Sequence, residues 1–100
     1  MNWTPEDILA IQQMVYGEGA NQPYDVMKMI AQSAFNRALS GKSKEFGNTI
    51  PNILNKGYYA VSKQNKPYKQ ALSGKFDDPL SQKAWQQAGQ AVNDIVTNND

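Results

Sequence analysis

Three glutamates, no histidine and no cysteine limit the side-chain chemistry open to this chain of 100 residues. Without His there is no Ser-His-Asp triad, no imidazole base and no His-based zinc site; without Cys there is no thiol nucleophile or thiolate cluster. Carboxylates, lysines, tyrosines and hydroxyls remain, and neither metal nor cofactor is expected. Among the glutamates, Glu18 stands out because it sits between two glycines in Val15-Tyr16-Gly17-Glu18-Gly19 and falls seven residues after Ile11, four after Met14 and three after Val15. If a helix reaches that far, the carboxyl projects on the apolar stripe, toward the core or a cleft in it. Burial and the carboxyl end of a helix both favour the protonated form there, the state a general acid for glycoside cleavage requires. The flanking glycines suit close approach of a bulky substrate to the backbone. A structural carboxylate that caps a neighbouring helix or pairs with Arg37 has the same phase. Glu6 fits a first helical turn and Glu45 a solvated loop.

The elements that must position Glu18 follow from capping signals and periodicity. Thr4-Pro5-Glu6-Asp7 reads as an N-cap, a Pro at the first helical position and acids facing the dipole, and Ile8, Ile11, Met14 and Val15 then carry a helix to about Tyr16. A second helix starts near Asn21-Gln22-Pro23, follows the stripe Val26, Met27, Ile30, Ala31, Ala34, Phe35, Ala38, and stops at Ser40-Gly41. Residues 42 to 48 read as a loop, and a short helix runs from Thr49-Ile50-Pro51 to Lys56-Gly57. Tyr58-Tyr59-Ala60-Val61 has strand-like composition and precedes a turn, which predicts a short β-hairpin near 58–66. Asp77-Asp78-Pro79 opens a last helix carried by Ala84, Trp85, Ala88, Ala91, Val92, Ile95 and Val96, with residues 97–100 fraying. Ala-Leu-Ser-Gly-Lys occurs at 38–42 and again at 71–75 and reads as two similar glycine caps, not a duplication. The expectation is one mostly α domain over residues 1–100, with four to five helices.

Tyr16-Gly17-Glu18-Gly19, Pro23-Tyr24, Ala34-Phe35-Asn36-Arg37, Phe46-Gly47-Asn48-Thr49-Ile50 and Gly57-Tyr58-Tyr59, in this order and spacing, resemble the catalytic domain of the spore cortex-lytic enzyme family of cell-wall hydrolases. The resemblance covers about residues 8 to 96. It implies a small lysozyme-like fold and peptidoglycan glycan strands as the substrate. It also implies a single glutamate, here Glu18, acting as acid and then base in lytic transglycosylation at the MurNAc-GlcNAc bond. Tyr16, Asn48, Thr49, Tyr58 and Tyr59 would then be substrate contacts. The pattern departs from the family where Gly47 replaces a common Pro, where Tyr58 stands for a usual Gln, and where Gly19-Ala20-Asn21-Gln22 follows the acid. The family also has an aromatic segment beyond the last helix, so a partner chain or phage particle is expected to complete the cleft. The rival reading is a non-catalytic peptidoglycan-binding or phage virion structural module that keeps the fold.

Arg37, the only arginine, lies seven residues after Ile30 and is expected to hold backbone or a carboxylate other than Glu18, with Asn36 organising the loop beside it. Between Phe46 and Phe76 there are five lysines and no acid, interleaved with Tyr58, Tyr59 and Tyr68, a composition that suits either a solvated face or one for anionic wall polymer. Trp3 reads as a lid and Trp85 as core. A net charge of +1 gives no global field for nucleic acid. No stretch is apolar enough for membrane insertion and none reads as a signal peptide, so delivery to the wall by a phage particle or lysis system, or a trimmed chain, is expected.

Overall fold

The computed structural model describes residues 3–98, which form seven helices and no strand. The longest three, α1 (Pro5–Gly19), α2 (Tyr24–Leu39) and α7 (Pro79–Asn98), pack on one another. Between α2 and α7 the chain forms four short helices, α3 (Ser43–Phe46), α4 (Ile50–Gly57), α5 (Tyr59–Ser62) and α6 (Lys66–Ser73). Of these, α4, α5 and α6 all lie against α1. No helix of the described residues is long and apolar enough to cross a membrane.

Most of the longer helices begin where a side chain satisfies free N–H groups; α2, which follows Pro23, has no such side-chain cap. Thr4 Oγ1 accepts from the Asp7 amide at 3.0 Å while the Asp7 carboxylate accepts from the Thr4 amide, a reciprocal capping box with Pro5 beside it. Thr49 and Asn65 do the same for α4 and α6 by accepting from Asn52 N and Tyr68 N, each again followed by a proline in the first turn. Asp78 Oδ1 accepts from Ser81 N at 2.6 Å at the head of α7. Gly41 at φ 75° and Gly74 at φ 71° follow α2 and α6, so the two Ala-Leu-Ser-Gly-Lys copies are indeed two glycine caps.

Four expectations need correction. The helices number seven, not four to five, because α3 forms inside the supposed loop 42–48, α5 replaces the supposed hairpin at 58–66, and α6 follows from Lys66 where no element was expected beyond its closing glycine cap. Tyr58 and Tyr59 favour strands by composition, but a single helical turn capped from outside outweighs that propensity. α1 does not stop at Tyr16; it continues through Gly19, since both glycines pack against neighbours that hold the last turn. Thr97 and Asn98 belong to α7, and residues 99–100 lie outside the described range.

The core is one cluster. Ile11, Met14 and Val15 from α1 meet Met27, Ala31, Ala34 and Phe35 from α2 and Ala88, Ala91, Val92 and Ile95 from α7, with Ile50, Ile53 and Leu54 closing it from α4. The alanines let the helix axes approach closely, and Phe35 and the methionines fill the volume between them. A second pairing of α2 with α7 is polar: the Tyr24 hydroxyl donates to the Asp94 carboxylate, which also accepts from Gln90. The hydrogen bond from Tyr24 chiefly holds the Asp94 carboxyl below its ordinary range, and the same bond raises the Tyr24 phenol. Asp94 adds stability that is present above about pH 4 and lost as pH falls through its lowered folded value, whereas Tyr24 adds stability present below about pH 10 and lost as pH rises through its raised one. Tyr24→Phe is therefore expected to flatten both flanks of the stability-pH curve, read by urea midpoints at pH 3, 7 and 10; an unchanged curve would count against the pairing.

Candidate active site

Glu18 occupies the last turn of α1, where the apolar stripe runs past the end of the core. Its side chain is exposed, not buried, so the burial expected from its phase is corrected. Its carboxylate reaches α5 instead: Oε2 accepts from the Ala60 backbone N–H at 2.6 Å. Ala60 is the second residue of α5, whose N-cap Tyr58 makes no side-chain capping bond, so Glu18 supplies from another helix the acceptor this short element lacks. Asn65 ties the same region together, its Nδ2 donating to the Gly17 carbonyl at 3.0 Å while its Oδ1 caps α6. Nothing about Asn65 had suggested a place near the acid, although Asn-Lys-Pro at the head of a helix carries the same start signal as Thr4-Pro5.

The glycines beside Glu18 serve the protein and not a ligand. A Cβ on Gly17 would lie 2.9 Å from the Cβ atoms of both Ala60 and Tyr68, and one on Gly19 would lie 3.0 Å from the end of Ile30. Gly17 thus lets α5 and α6 seat directly on α1. The idea that these glycines open the backbone to substrate is corrected accordingly.

Tyr16 is also internal. At 2 % exposure it packs edge-on to Phe76 and Trp85, which stack on each other at 4.9 Å, and its hydroxyl donates to Gln70 Oε1 at 2.7 Å. Its ring offers no face to a glycan, so the expected substrate contact becomes a core aromatic. Tyr58 is nearly as buried, at 7 %. Ser33 donates to the Ile30 carbonyl, so the Tyr58 hydroxyl donates to Ser33 Oγ at 2.5 Å. Tyr59, by contrast, is 68 % exposed on the first turn of α5, next to the amide that holds Glu18. Of the five expected substrate contacts it is the aromatic with a face available beside the acid.

Arg37 holds backbone, one of the two partners expected for it, and not a carboxylate. Its Nη1 donates to the Gly57 carbonyl at 3.4 Å, and the guanidinium sits 4.9 Å from the centre of the Tyr58 ring and 5.4 Å from that of Phe46. This joins α2 to the end of α4 and to α3. Asn36 points to solvent and accepts from Gln32 within α2, so it does not organise the neighbouring loop. A Cβ on Gly57 would fall 2.0 Å from Arg37 Nη1. Gly57→Ala is expected to push the guanidinium aside at little cost, because the contact is with the far end of a flexible side chain, and to leave stability within about 1 kcal/mol of the wild type, since helix propensity favours alanine by roughly that much; chemical denaturation checks this, and a loss well beyond that would count against it.

Asn48 and Thr49 are not beside Glu18. They border a groove of about 540 Å³ at the other end of α1, walled by Trp3, Asp7, Arg37 and the start of α4. Asp7 and Glu18 are eleven residues apart in one helix, which sets them about 16 Å apart along its axis and roughly 20° apart around it. They share one side of α1, and α4 runs from the groove toward the α5 turn that holds Glu18. Asn48 Oδ1 accepts from Asn52 Nδ2 and the Thr49 hydroxyl is used as a cap. Gly47 lies at φ 107°, which a proline ring cannot reach, so this loop must differ from one built on the Pro common in the family it resembles.

The chain matches no protein-family model, no curated protein and no solved structure.

Chemically, the arrangement offers one solvent-facing carboxylate with one oxygen oriented by a peptide N–H, beside an exposed tyrosine. Carboxylate pairs that work together on a glycosidic bond stand roughly 5–9.5 Å apart, so Asp7 is too distant to partner Glu18.

Proposed function

We propose that the chain cleaves the glycan strands of peptidoglycan by lytic transglycosylation at the MurNAc-GlcNAc bond, on a lysozyme-like helical domain, with Glu18 as acid and then base. The observation that carries this reading is the fixed carboxylate: Glu18 Oε2 is held by Ala60 N–H at 2.6 Å on a helix end locked by Gly17, while the side chain stays open to solvent. Such preorganisation is what proton transfer in a transition state needs. Glu18 Oε1 carries the proton to the glycosidic oxygen as the C1–O bond breaks. The resulting carboxylate then accepts the proton of the sugar's 6-hydroxyl as that oxygen bonds to C1, which regenerates the acid and leaves an anhydro sugar. One carboxylate suffices because the nucleophile belongs to the substrate, which agrees with the distance of Asp7. Tyr59 is positioned to pack against the sugar. Incubation of purified sacculi with the protein should release soluble anhydro-muropeptides detectable by mass spectrometry; reducing-end products would indicate hydrolysis, and no product would reject the reading.

A second reading is favoured by the same hydrogen bond seen as a helix cap, and by the groove lying away from Glu18. The chain would then be a non-catalytic wall-binding or virion structural module. Sedimentation of the protein with sacculi and an empty supernatant would support it.

A further inference from the structure

The groove at the amino-terminal end of α1 has no part in the chemistry assigned to Glu18, yet it is the more built of the two places. Its volume of about 540 Å³ lies within the range of small-ligand sites, roughly 300–1,000 Å³. One wall is the Trp3 indole, half-exposed and set edge-on to Phe35 with ring centres 5.0 Å apart, so its orientation is fixed by the core behind it. Facing it are groups of alternating hydrogen-bond character: the Asp7 carboxylate, the Asn48 amide, whose nitrogen is not used in the bond from Asn52, and the Arg37 guanidinium, which spends one donor on Gly57. Gly41 and Gly47, both at positive φ, add no side chain of their own to the rim. An aromatic wall beside alternating donors and acceptors suits a saccharide ring, which has apolar C–H faces and a polar hydroxyl edge. Arg37 and Lys42 against the single Asp7 leave the groove with a surplus of positive charge.

We propose that this groove is a saccharide-binding site for a sugar that bears a carboxylate, separate from Glu18, with Trp3 as its stacking wall and Lys42 as its charge contact. The identity of the polymer rests on the peptidoglycan reading; the binding itself does not. Because the groove and Glu18 share one side of α1 about 16 Å apart, a strand seated on Trp3 would be delivered toward the acid along α4, and the groove would govern how long the protein stays on its polymer.

The test uses Trp3 as its own reporter. In a Glu18→Gln, Trp85→Phe background, checked for native helix content by circular dichroism, Trp3 is the sole indole and turnover does not consume the ligand. Soluble glycan strands freed of their stem peptides, so that each muramic residue bears its own lactyl carboxylate, are titrated in, with a neutral N-acetylglucosamine tetramer as the second arm. The expected result is a saturable change in Trp3 emission with the strands, weakened about fivefold or more by Lys42→Glu, and a weaker response to the neutral tetramer that Lys42→Glu leaves unaltered. No emission change with the strands would overturn the proposal, as would equal affinity for strands and tetramer or insensitivity to Lys42→Glu. The two readings fail separately: Trp3 binding without muropeptide release by the wild type would reject catalysis and keep the groove, and release without a Trp3 response would do the reverse.

Discussion

Glu18→Gln is expected to lower muropeptide release from sacculi by roughly 10²- to 10⁴-fold, the range that general acid-base groups contribute, with little change in folding. The choice of Gln matters because Glu18 does two things. It carries the only proton the proposed reaction asks of the protein, and it caps α5 through the bond from Ala60 N–H. A glutamine can present its amide oxygen to that N–H but cannot give up a proton to a leaving oxygen, so the substitution separates chemistry from structure. Glu18→Ala removes both and should add a stability loss of about 1 kcal/mol from the uncapped turn. Melting curves and product release measured together on the two variants therefore give a clear pattern. Equal release by wild type and Glu18→Gln would show that the carboxylate is a cap alone.

The second large effect is on stability, at Gly17. An added methyl would sit 2.9 Å from two Cβ atoms on different helices, Ala60 on α5 and Tyr68 on α6. Atoms this close to the backbone cannot swing away by changing rotamer, so α5 and α6 must move off α1. Alanine gains roughly 1 kcal/mol over glycine in helix propensity, but overpacking of a closed seam costs about 1–3 kcal/mol, and larger side chains should cost more. Gly17→Ala is expected to be net destabilising by up to about 2 kcal/mol and Gly17→Val by more, with the melting temperature falling by roughly 4–8 °C per kcal/mol for a domain of this size. Release of muropeptides should fall in parallel, because the seam that would open is the one that holds Glu18 against Ala60. A stabilised Gly17→Ala would mean that the seam is looser than its distances imply.

The parts of the fold that were legible before the structure are those whose signals are local. α4 and α7 carry their own caps and stripes and α2 its stripe, and the structure places them where Pro23, Thr49-Pro51 and Asp78-Pro79 indicated. α6 was legible too, since Asn65-Lys66-Pro67 is an N-cap followed by a first-turn proline and Gly74 closes the helix, but a polar run of five residues reads as a turn when scored by composition. α5 was not. Its cap is a carboxylate 42 residues away in sequence, and no local pattern encodes that. The candidate site divides the same way. Arg37 holds backbone, one of the two partners expected once a pair with Glu18 was set aside, whereas its phase by itself suggested a buried stem with an ion pair. Glu18 and Tyr16 show the limit of that inference: both have plausible phases, but phase is silent on where along the helix the core ends, so the acid emerged into solvent and the tyrosine stayed inside. Trp3 and Asp7 were seen as a lid and a first-turn acid, and only the arrival of α4 across from them turns that end of α1 into a groove.

The position of α7 has a consequence for how the chain acquires its structure. Ala88, Ala91, Val92 and Ile95 complete a core whose other members, apart from Tyr58 and Ala71, lie before residue 55. During synthesis from the amino end, α4, α5 and α6 can close on α1 as they emerge, but the part of the α2 stripe that α7 covers must wait while some forty residues of short helices pass. Most pairings among α3 to α6 are local and close quickly, but the one that buries α2 fully spans most of the chain. The polypeptide is thus most exposed to proteases and to association with its own kind just before α7 docks, and the alanines that make that docking tight also make it nearly all-or-none.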